Sequence, residues 1–189
     1  MQIDDEPGMN TDGDSSRLNR QKELIGLIKL IAAAFIVALL IKNLVIINAL
    51  VTSGSMENTI MTDTRMLGFR LAYVLDKPER GDIILFRYPD DESQTFVKRV
   101  IGLPGETLEI VDGLVYIDGS EVPLEEPYLK EAAEGSFGPF VVPAGCYFVM
   151  GDNRNDSLDS RFWRNKYVEE DNILGQAFWK YWPKPAILE

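Results

Sequence analysis

Two runs rich in β-branched and aromatic residues decide the fold of this chain: "DIILFRY" at residues 82–88 and "QTFVKRVIG" at residues 94–102. Short apolar runs of this kind, bounded by Gly, Pro and Asp, are typical of β-strands. "CYFVMG" at residues 146–151 and "ILGQAFWKYW" at residues 173–182 have the same texture. Because no stretch outside the amino-terminal region shows an apolar stripe at helical spacing, we predict a mostly β domain with antiparallel strands.

A β-hairpin is predicted within "LEIVDGLVYIDG", because Asp112-Gly113 supplies the pair of positive-φ residues that a two-residue type I′ turn requires. The hairpin lies in a less regular stretch that also holds the acidic, Gly-rich "KEAAEGSFG". We therefore predict a small inserted β subdomain at residues 106–143, within a larger domain that spans residues 42–189.

Upstream of the strands lies a long apolar stretch, "LIGLIKLIAAAFIVALLI" at residues 24–41, in which Lys29 is the one charged residue. As a helix it would be about 27 Å long, nearly enough to cross a bilayer. A span shifted to residues 30–50 would instead bury Lys42 near its centre, at a cost of about 2.5 to 3.5 kcal/mol. The sequence predicts a transmembrane anchor at residues 24–41.

Two other interpretations of this stretch remain open. A cleaved signal peptide has a shorter apolar region and a basic leading segment, whereas this leading segment is acidic. A buried helix of a soluble protein is the second alternative, although the apolar residues surround the helix and leave no polar face for water.

The flanking charges predict the orientation of the anchor. Arg17, Arg20, Lys22 and Lys29 lie at its amino end, and Lys42 alone lies just past the other end. By the positive-inside rule, residues 1–23 form a cytoplasmic tail and residues 42–189 lie outside. The acidic composition of the tail predicts that it is solvated and poorly ordered. The membrane is predicted to be the cell membrane, with a thylakoid membrane as the alternative.

The composition excludes several classes of function. A formal net charge of −11 in 189 residues argues against binding to nucleic acid, which requires a basic face. Cys146 is the one cysteine and the chain has no histidine, so neither a disulfide within the chain nor a Cys/His zinc cluster can form. We predict no metal and no cofactor.

The stretch "SGSMENTI" at residues 53–60 holds two serines that could act as nucleophiles. A flexible polar linker after the apolar stretch would have a similar composition, so this alternative remains open. Without histidine, every mechanism that uses an imidazole base is excluded. A lysine can replace it if its pKa falls by about 2 to 3 units from about 10.4, which burial among apolar side chains can cause.

Lys98 in "TFVKRVIG" is the strongest candidate for that base. Strand alternation places Phe96, Lys98 and Val100 on one face and Val97, Arg99 and Ile101 on the other. The pattern does not say which face is buried, and a lysine in a strand is more commonly solvated. Arg99 stays protonated on either face and could not act as a base.

Three stretches together resemble the type I signal peptidases, a family of membrane-bound serine proteases with a Ser-Lys dyad. They are "SGSMENTI", "RGDIILFRYP" followed by "FVKRVIGLPGE", and "GDNRNDSLDSRFW", which occur in the family's order after an apolar anchor. The resemblance extends to "GQAFWKYWP". Two departures are Asn58, where the family usually has proline, and Arg164, where it commonly has glycine.

The resemblance implies an endopeptidase with the family's antiparallel β-sheet catalytic domain, which removes signal peptides from exported preproteins at Ala-x-Ala sites. Ser55 would be the nucleophile that forms the acyl-enzyme, and Lys98 would be its general base. Ser53 would donate to the oxyanion together with the backbone N–H of Ser55. Signal peptides and membrane lipid are the implied partners.

The remaining implied roles concern support and specificity. Ser157 would hydrogen-bond the Lys98 ammonium group, and Asp159 and Arg161 would form a supporting ion pair. Residues 152 and 153 would shape the turn of the same motif. The positions that would line the shallow apolar substrate pockets are Val51, Met56, Ile60, Phe96 and Val97.

Two other functions remain as alternatives. A related Ser-Lys peptidase could cut itself or a regulator, as the soluble repressor-cleaving relatives do. A membrane-tethered β module without catalytic activity could instead bind other proteins.

Overall fold

The computed structural model describes residues 11–188, with side chains from Arg20 onward. The chain divides into two compact units: an amino-terminal helix, α1 (Thr11–Leu44), and a β-rich unit that begins at residue 44. Each unit is described separately below.

Helix α1 is longer than the predicted anchor at both ends. Its segment Arg20–Leu44 has a mean hydropathy of 2.9 in its most apolar window, and none of that window is buried. The length and composition of this segment suit a membrane span.

The prediction of a poorly ordered tail is wrong from Thr11 onward, where the chain is helical. Six of the seven residues at 17–23 are Arg, Leu, Gln, Lys or Glu, which are good helix formers, so this stretch extends the apolar helix toward the amino terminus. Residues 1–10 of the predicted tail lie outside the described residues.

The β-rich unit is built from antiparallel strands. The strands are β1 (Ile46–Leu50), β2 (Arg65–Phe69), β3 (Ile83–Tyr88), β4 (Asp91–Gly102), β5 (Thr107–Val111), β6 (Leu114–Ile117), β7 (Phe137–Val141), β8 (Cys146–Met150), β9 (Val168–Glu169), β10 (Ile173–Trp182) and β11 (Ala186–Ile187). Eight of them form a sheet in the order β1-β2-β10-β3-β4-β8-β9, with β11 against β10, and the order of the three-stranded sheet is β6-β5-β7. Within the described residues every pairing is antiparallel, so the predicted fold class is confirmed.

The strands that the sequence predicts correspond to β3, β4, β8 and β10. The predicted hairpin is also present: Val111 pairs with Leu114, and Asp112 and Gly113 have φ values of 47° and 82°. This hairpin and β7 form the smaller sheet, which lies within the predicted insertion. The sequence does not predict β1 and β2, because their short runs mix apolar and polar residues without a clear alternation.

The larger sheet is covered on both faces. Along β3, Ile83 and Leu85 enter one hydrophobic cluster, whereas Ile84 and Phe86 enter another. A third hydrophobic cluster packs Leu108 and its neighbours in the smaller sheet against Phe148 and Met150 of β8. Because clusters cover both faces at the carboxyl-terminal part of β4, the neighbouring residues 98–102 are all buried.

Candidate active site

Ser55 lies in a short 3₁₀ turn, Gly54–Met56, shortly after the end of β1. The side chains of Met56 and Ile60 anchor the turn, because both are fully buried in the hydrophobic core. It is also fixed by its backbone, since the Ile60 N–H donates to the Met56 carbonyl at 2.7 Å. Ser55 itself is 7% exposed. The packing therefore holds the Ser55 hydroxyl in one place at the edge of the core.

Lys98 lies on β4, opposite Ile84 of β3, and is 3% exposed. Its Nζ shares a hydrogen bond with Ser55 Oγ, which joins the two residues across 43 positions of sequence. Burial lowers the pKa of Lys98 to about 8, against the opposing influence of Asp159 and Asp152. Near pH 8, a substantial share of the molecules therefore carries a neutral amine against the serine hydroxyl.

Ser53 stands at the open side of this pair. Its Oγ lies 3.3 Å from Ser55 Oγ, and the side chain is exposed to solvent. A hydroxyl at this position can donate a hydrogen bond to an oxygen atom of a molecule bound beside Ser55 Oγ.

The predicted ion pair between Asp159 and Arg161 is present and buried. Arg161 Nε and Nη2 donate to the two carboxylate oxygens at 2.8 Å and 2.9 Å. Ser157 differs from the prediction: its hydroxyl donates to Asp159 at 2.7 Å, and it has no hydrogen bond to Lys98 among the described residues. The physical reason is that a buried carboxylate accepts a hydroxyl proton strongly, and this fixes the rotamer of the serine.

Asp152 and Asn153, which are expected to shape a turn, also hold neighbouring segments in place. Asn153 donates from its backbone N–H to the Ser55 carbonyl at 3.1 Å and from its side chain to the Gly54 carbonyl at 3.0 Å. Asp152 forms a buried bidentate ion pair with Arg99 and accepts a hydrogen bond from Thr59. These two residues connect the turn that holds Ser55 to the strand that carries Lys98.

Gly151 is a further residue that the sequence analysis missed. A Cβ at this position would overlap the hydroxyl of Ser157 and the carbonyl of Ser55. Glycine therefore lets the two segments approach, and the "GDN" motif is the signal that could have indicated it.

Asn58 adopts φ 84°, a conformation closed to proline. Its side-chain amide donates to the Tyr128 carbonyl at 2.9 Å. The turn after Ser55 is therefore held by a contact to the segment between β6 and β7.

A groove of about 620 Å³ opens beside the serine–lysine pair. Val51, Phe96 and Val97 line it together with Ser53, Ser55 and Lys98. Met56 and Ile60, which are also expected to line substrate pockets, do not face the groove. They are buried beneath the turn, because its apolar residues supply the core contacts that hold it.

One wall of the groove is a strand edge. Residues 95–97 of β4 pair with β3 on one side, whereas β8 joins β4 only from Arg99 onward. Residues 94–97 also line the groove. Within the described residues this stretch has backbone groups available to a peptide in extended conformation.

The described residues contain no group of three or more His, Cys, Asp or Glu side chains that could hold a metal ion. The arrangement suits proton transfer between an amine and a hydroxyl.

The sequence of the chain is similar to those of known proteins. The family model described as "Signal peptidase, peptidase S26" matches residues 24–182. The chain is 40% identical to the signal peptidase I of Leptolyngbya laminosa over 164 residues, which cover 82% of this chain and 78% of that protein. It is 38% identical to the signal peptidase I of Bacillus licheniformis, over 87% of this chain and 92% of that protein. A solved signal peptidase I from Enterococcus faecalis V583 is 39% identical, with a TM-score of 0.46, over 53% of this chain and 97% of that one.

Proposed function

The chain belongs to the signal peptidase family, peptidase S26, and from this premise we propose that it removes signal peptides from exported preproteins through a Ser55–Lys98 dyad. The observation that carries the proposal is the hydrogen bond between Lys98 Nζ and Ser55 Oγ, formed by a lysine that is almost completely buried. Both relatives compared above are named signal peptidase I.

The proposed reaction begins with the neutral Lys98 amine. It accepts the Ser55 proton while Oγ attacks the scissile carbonyl, and the ammonium group then gives that proton to the leaving amine. The product of this half-reaction is an acyl-enzyme on Ser55. A water molecule attacks the ester, Lys98 takes its proton, and the return of that proton to Oγ releases the signal peptide.

Ser53 and the backbone N–H of Ser55 are the proposed donors to the oxyanion. The support for Ser53 is its exposed hydroxyl at 3.3 Å from the attacking oxygen. In other acyl-transfer sites the loss of one such donor raises the activation barrier by about 2.7 to 4 kcal/mol.

The proposed substrate is an extended peptide with small residues at the first and third positions before the cut, as in Ala-x-Ala. The open edge of β4 at residues 94–97 supports strand addition, which supplies affinity through backbone hydrogen bonds. Val51, Phe96 and Val97 give the groove its apolar walls, which suit short apolar side chains.

The proposed location is a membrane crossed once by the segment Arg20–Leu44, with the amino terminus in the cytoplasm and the β-rich unit outside. The basic residues at the amino end of this segment support the orientation. The cell membrane is proposed, and a thylakoid membrane is the alternative.

The test is cleavage of a labelled preprotein with an Ala-x-Ala site by the detergent-solubilised full chain. We expect wild type to release the mature product, and Ser55→Ala and Lys98→Ala to release none while remaining folded. Ser120→Ala and Lys184→Ala are matched controls, because both residues are exposed. Substantial cleavage by either dyad variant would rule out the mechanism. Cleavage of the enzyme's own chain alone would favour a self-processing peptidase.

A further inference from the structure

A short segment between β6 and β7, Glu126 to Tyr128, lies outside the groove and contacts residues that support each half of the dyad. Glu126 accepts hydrogen bonds from both terminal nitrogens of Arg154, one of them at 2.9 Å. The side chains of Arg154 and Glu126 are only 2% and 6% exposed. A buried bidentate pair of this kind has one geometry and resists displacement.

From Arg154 the contacts continue to the nucleophile. Arg154 Nε donates to the Gly151 carbonyl at 3.0 Å, and its own carbonyl accepts from Arg161 at 2.7 Å. The preceding residue, Asn153, holds the carbonyls of Gly54 and Ser55. The position of Arg154 therefore sets the position of the segment that holds the Ser55 turn.

Tyr128 reaches the lysine side of the dyad. Its ring centroid lies 4.0 Å from the Arg99 guanidinium carbon, and Arg99 follows Lys98 directly on β4. The Tyr128 hydroxyl donates to Glu126 at 2.7 Å, and burial raises the pKa of this hydroxyl, which keeps it protonated. The Tyr128 carbonyl accepts the Asn58 amide, three residues after Ser55.

We propose that Glu126 and Tyr128 are positioning residues, which fix Lys98 and Ser55 relative to one another without touching the substrate. The two side chains act through Arg154 on the serine turn and through Arg99 on the lysine strand. None of Glu126, Tyr128 and Arg154 lines the groove, so their loss should slow the chemical step and leave peptide binding intact. This inference rests on the proposed function of the dyad.

The test is steady-state cleavage of a peptide substrate by the full chain in detergent, with kcat and KM measured separately. A displacement of about 1 Å between reacting groups can cost about 100-fold in rate, so we expect kcat to fall about 10- to 100-fold in Tyr128→Leu and Glu126→Gln. KM should stay within about twofold of the wild-type value, because the residues that contact the bound peptide are unchanged.

Matched variants separate positioning from general effects of substitution. Tyr128→Phe keeps the ring over Arg99 and should restore most of kcat relative to Tyr128→Leu. Glu125→Gln makes the same change in charge one residue away on an exposed side chain, and Tyr116→Leu replaces a tyrosine in the smaller sheet. Both controls should leave kcat within about twofold of wild type.

Asn58→Gly covers the case in which Tyr128→Leu does not fold. Glycine adopts a positive φ readily, so this variant removes one exposed hydrogen bond and leaves the buried ion pairs of the site intact. We expect kcat to fall about threefold or more at constant KM. A wild-type kcat in folded Tyr128→Leu, or a raised KM with an unchanged kcat, overturns the inference. If Tyr128→Leu is unfolded, the same two results in Asn58→Gly overturn it.

Ser55→Ala, measured in the same assay, distinguishes failure of the dyad mechanism from failure of the positioning role of Glu126 and Tyr128. If Ser55→Ala still cleaves, the dyad mechanism fails. If Ser55→Ala is inactive and the positioning variants behave as wild type, only the inference about Glu126 and Tyr128 fails.

Discussion

The surroundings of Lys98 and of Arg99, adjacent residues on β4, illustrate two ways to bury a cation. The two residues are 3% and 2% exposed. Arg99 forms two hydrogen bonds of 2.9 Å with Asp152 and one of 2.6 Å with the Gly81 carbonyl. Lys98 contacts a neutral hydroxyl, and within the described residues no carboxylate lies in salt-bridge range of its Nζ.

The difference shows how one strand can carry a structural cation beside a cation with a lowered pKa, as the proposed mechanism requires. A cation with a bidentate carboxylate remains charged and fixes the local structure. A cation without one loses the attraction that would offset desolvation, so burial lowers the pKa of Lys98 to about 8. The ion pair with Asp152 therefore makes Arg99 part of the framework, whereas Lys98, which has no such pair, meets the requirement of the base in the proposed mechanism.

The largest expected effect is the loss of activity in Lys98→Arg. Arginine keeps the positive charge but cannot give up its proton, so it cannot accept the Ser55 proton. We expect cleavage of a preprotein to fall by about 10⁴-fold or more, as in other hydrolases that lose a member of the catalytic group. Lys184→Arg is the control, on an exposed lysine. Activity above one part in about 100 of wild type would mean that a base other than Lys98 serves Ser55.

The second effect concerns Asp152, the partner of Arg99. Asp152→Ala leaves a charged guanidinium buried without its carboxylate, and we expect a loss of about 3 to 5 kcal/mol in the free energy of unfolding. Denaturant titration of the folded chain measures it. Asp76→Ala, on an exposed aspartate, should change stability by less than about 0.5 kcal/mol. Equal effects of the two substitutions would contradict the structural role assigned to the pair.

The third effect is a gain in the free energy of unfolding, opposite in sign to the second. The reason is that the buried Lys98 charge has no carboxylate in contact. Lys98→Met removes the burial penalty and should stabilise the chain by about 3 kcal/mol below pH 8, since the pKa falls from 10.5 to about 8. Below pH 8 both the folded and unfolded states are protonated, and the folded state bears the full penalty. Between pH 8 and 10.5 only the unfolded state keeps the proton, so wild type gains stability as the pH rises.

Denaturant titration of both proteins at pH 7 and at pH 10.5 tests this sign. The advantage of Lys98→Met should be present at pH 7 and absent at pH 10.5. A lower stability of Lys98→Met at pH 7 would mean that the amine contributes more through its bond to Ser55 than its burial costs.

The fourth effect is the pH dependence of cleavage. With Lys98 as base, kcat/KM should rise about tenfold per pH unit below pH 8 and level off above it, because only the neutral amine reacts. The chain has no histidine that could produce this limb. The measurement is the initial rate on a neutral peptide substrate from pH 6 to pH 10. A flat profile between pH 6 and pH 8 would exclude a lysine with this pKa as the base.

The contrast between Lys98 and Arg99 also shows what sequence can predict. Period-2 alternation predicts β4 and places these residues on opposite faces, but it does not say that both faces are covered. Coverage of both faces depends on which hydrophobic clusters form on either side of β3, and that is a property of the tertiary fold. The candidate base was therefore identifiable from residue type and motif, and its burial was not.

The errors at the site have a similar origin. Ser157 is placed near the dyad by its motif, but the choice between Lys98 and Asp159 as its partner depends on a rotamer. Met56 and Ile60 are apolar and close to Ser55 in sequence, which does not distinguish a groove wall from the core below it. Glu126 and Tyr128 lie 20 or more residues from each of the three stretches that carry the family resemblance, so only the folded chain brings them to Arg154 and Arg99.

The smallest expected effect isolates burial from pairing. Lys77 and Glu170 form an ion pair at 3.3 Å, but their side chains are 72% and 38% exposed. Water already solvates both charges, so Lys77→Ala leaves no desolvated partner and should change the free energy of unfolding by about 0 to 1 kcal/mol. Salt at about 1 M should remove even that difference, because the Debye length falls to about 3 Å. Denaturant titration of Lys77→Ala beside Asp152→Ala, at low and high salt, makes the comparison. If the two losses were equal, pairing alone would account for the stability of charged groups here, and burial would not explain the large loss expected in Asp152→Ala.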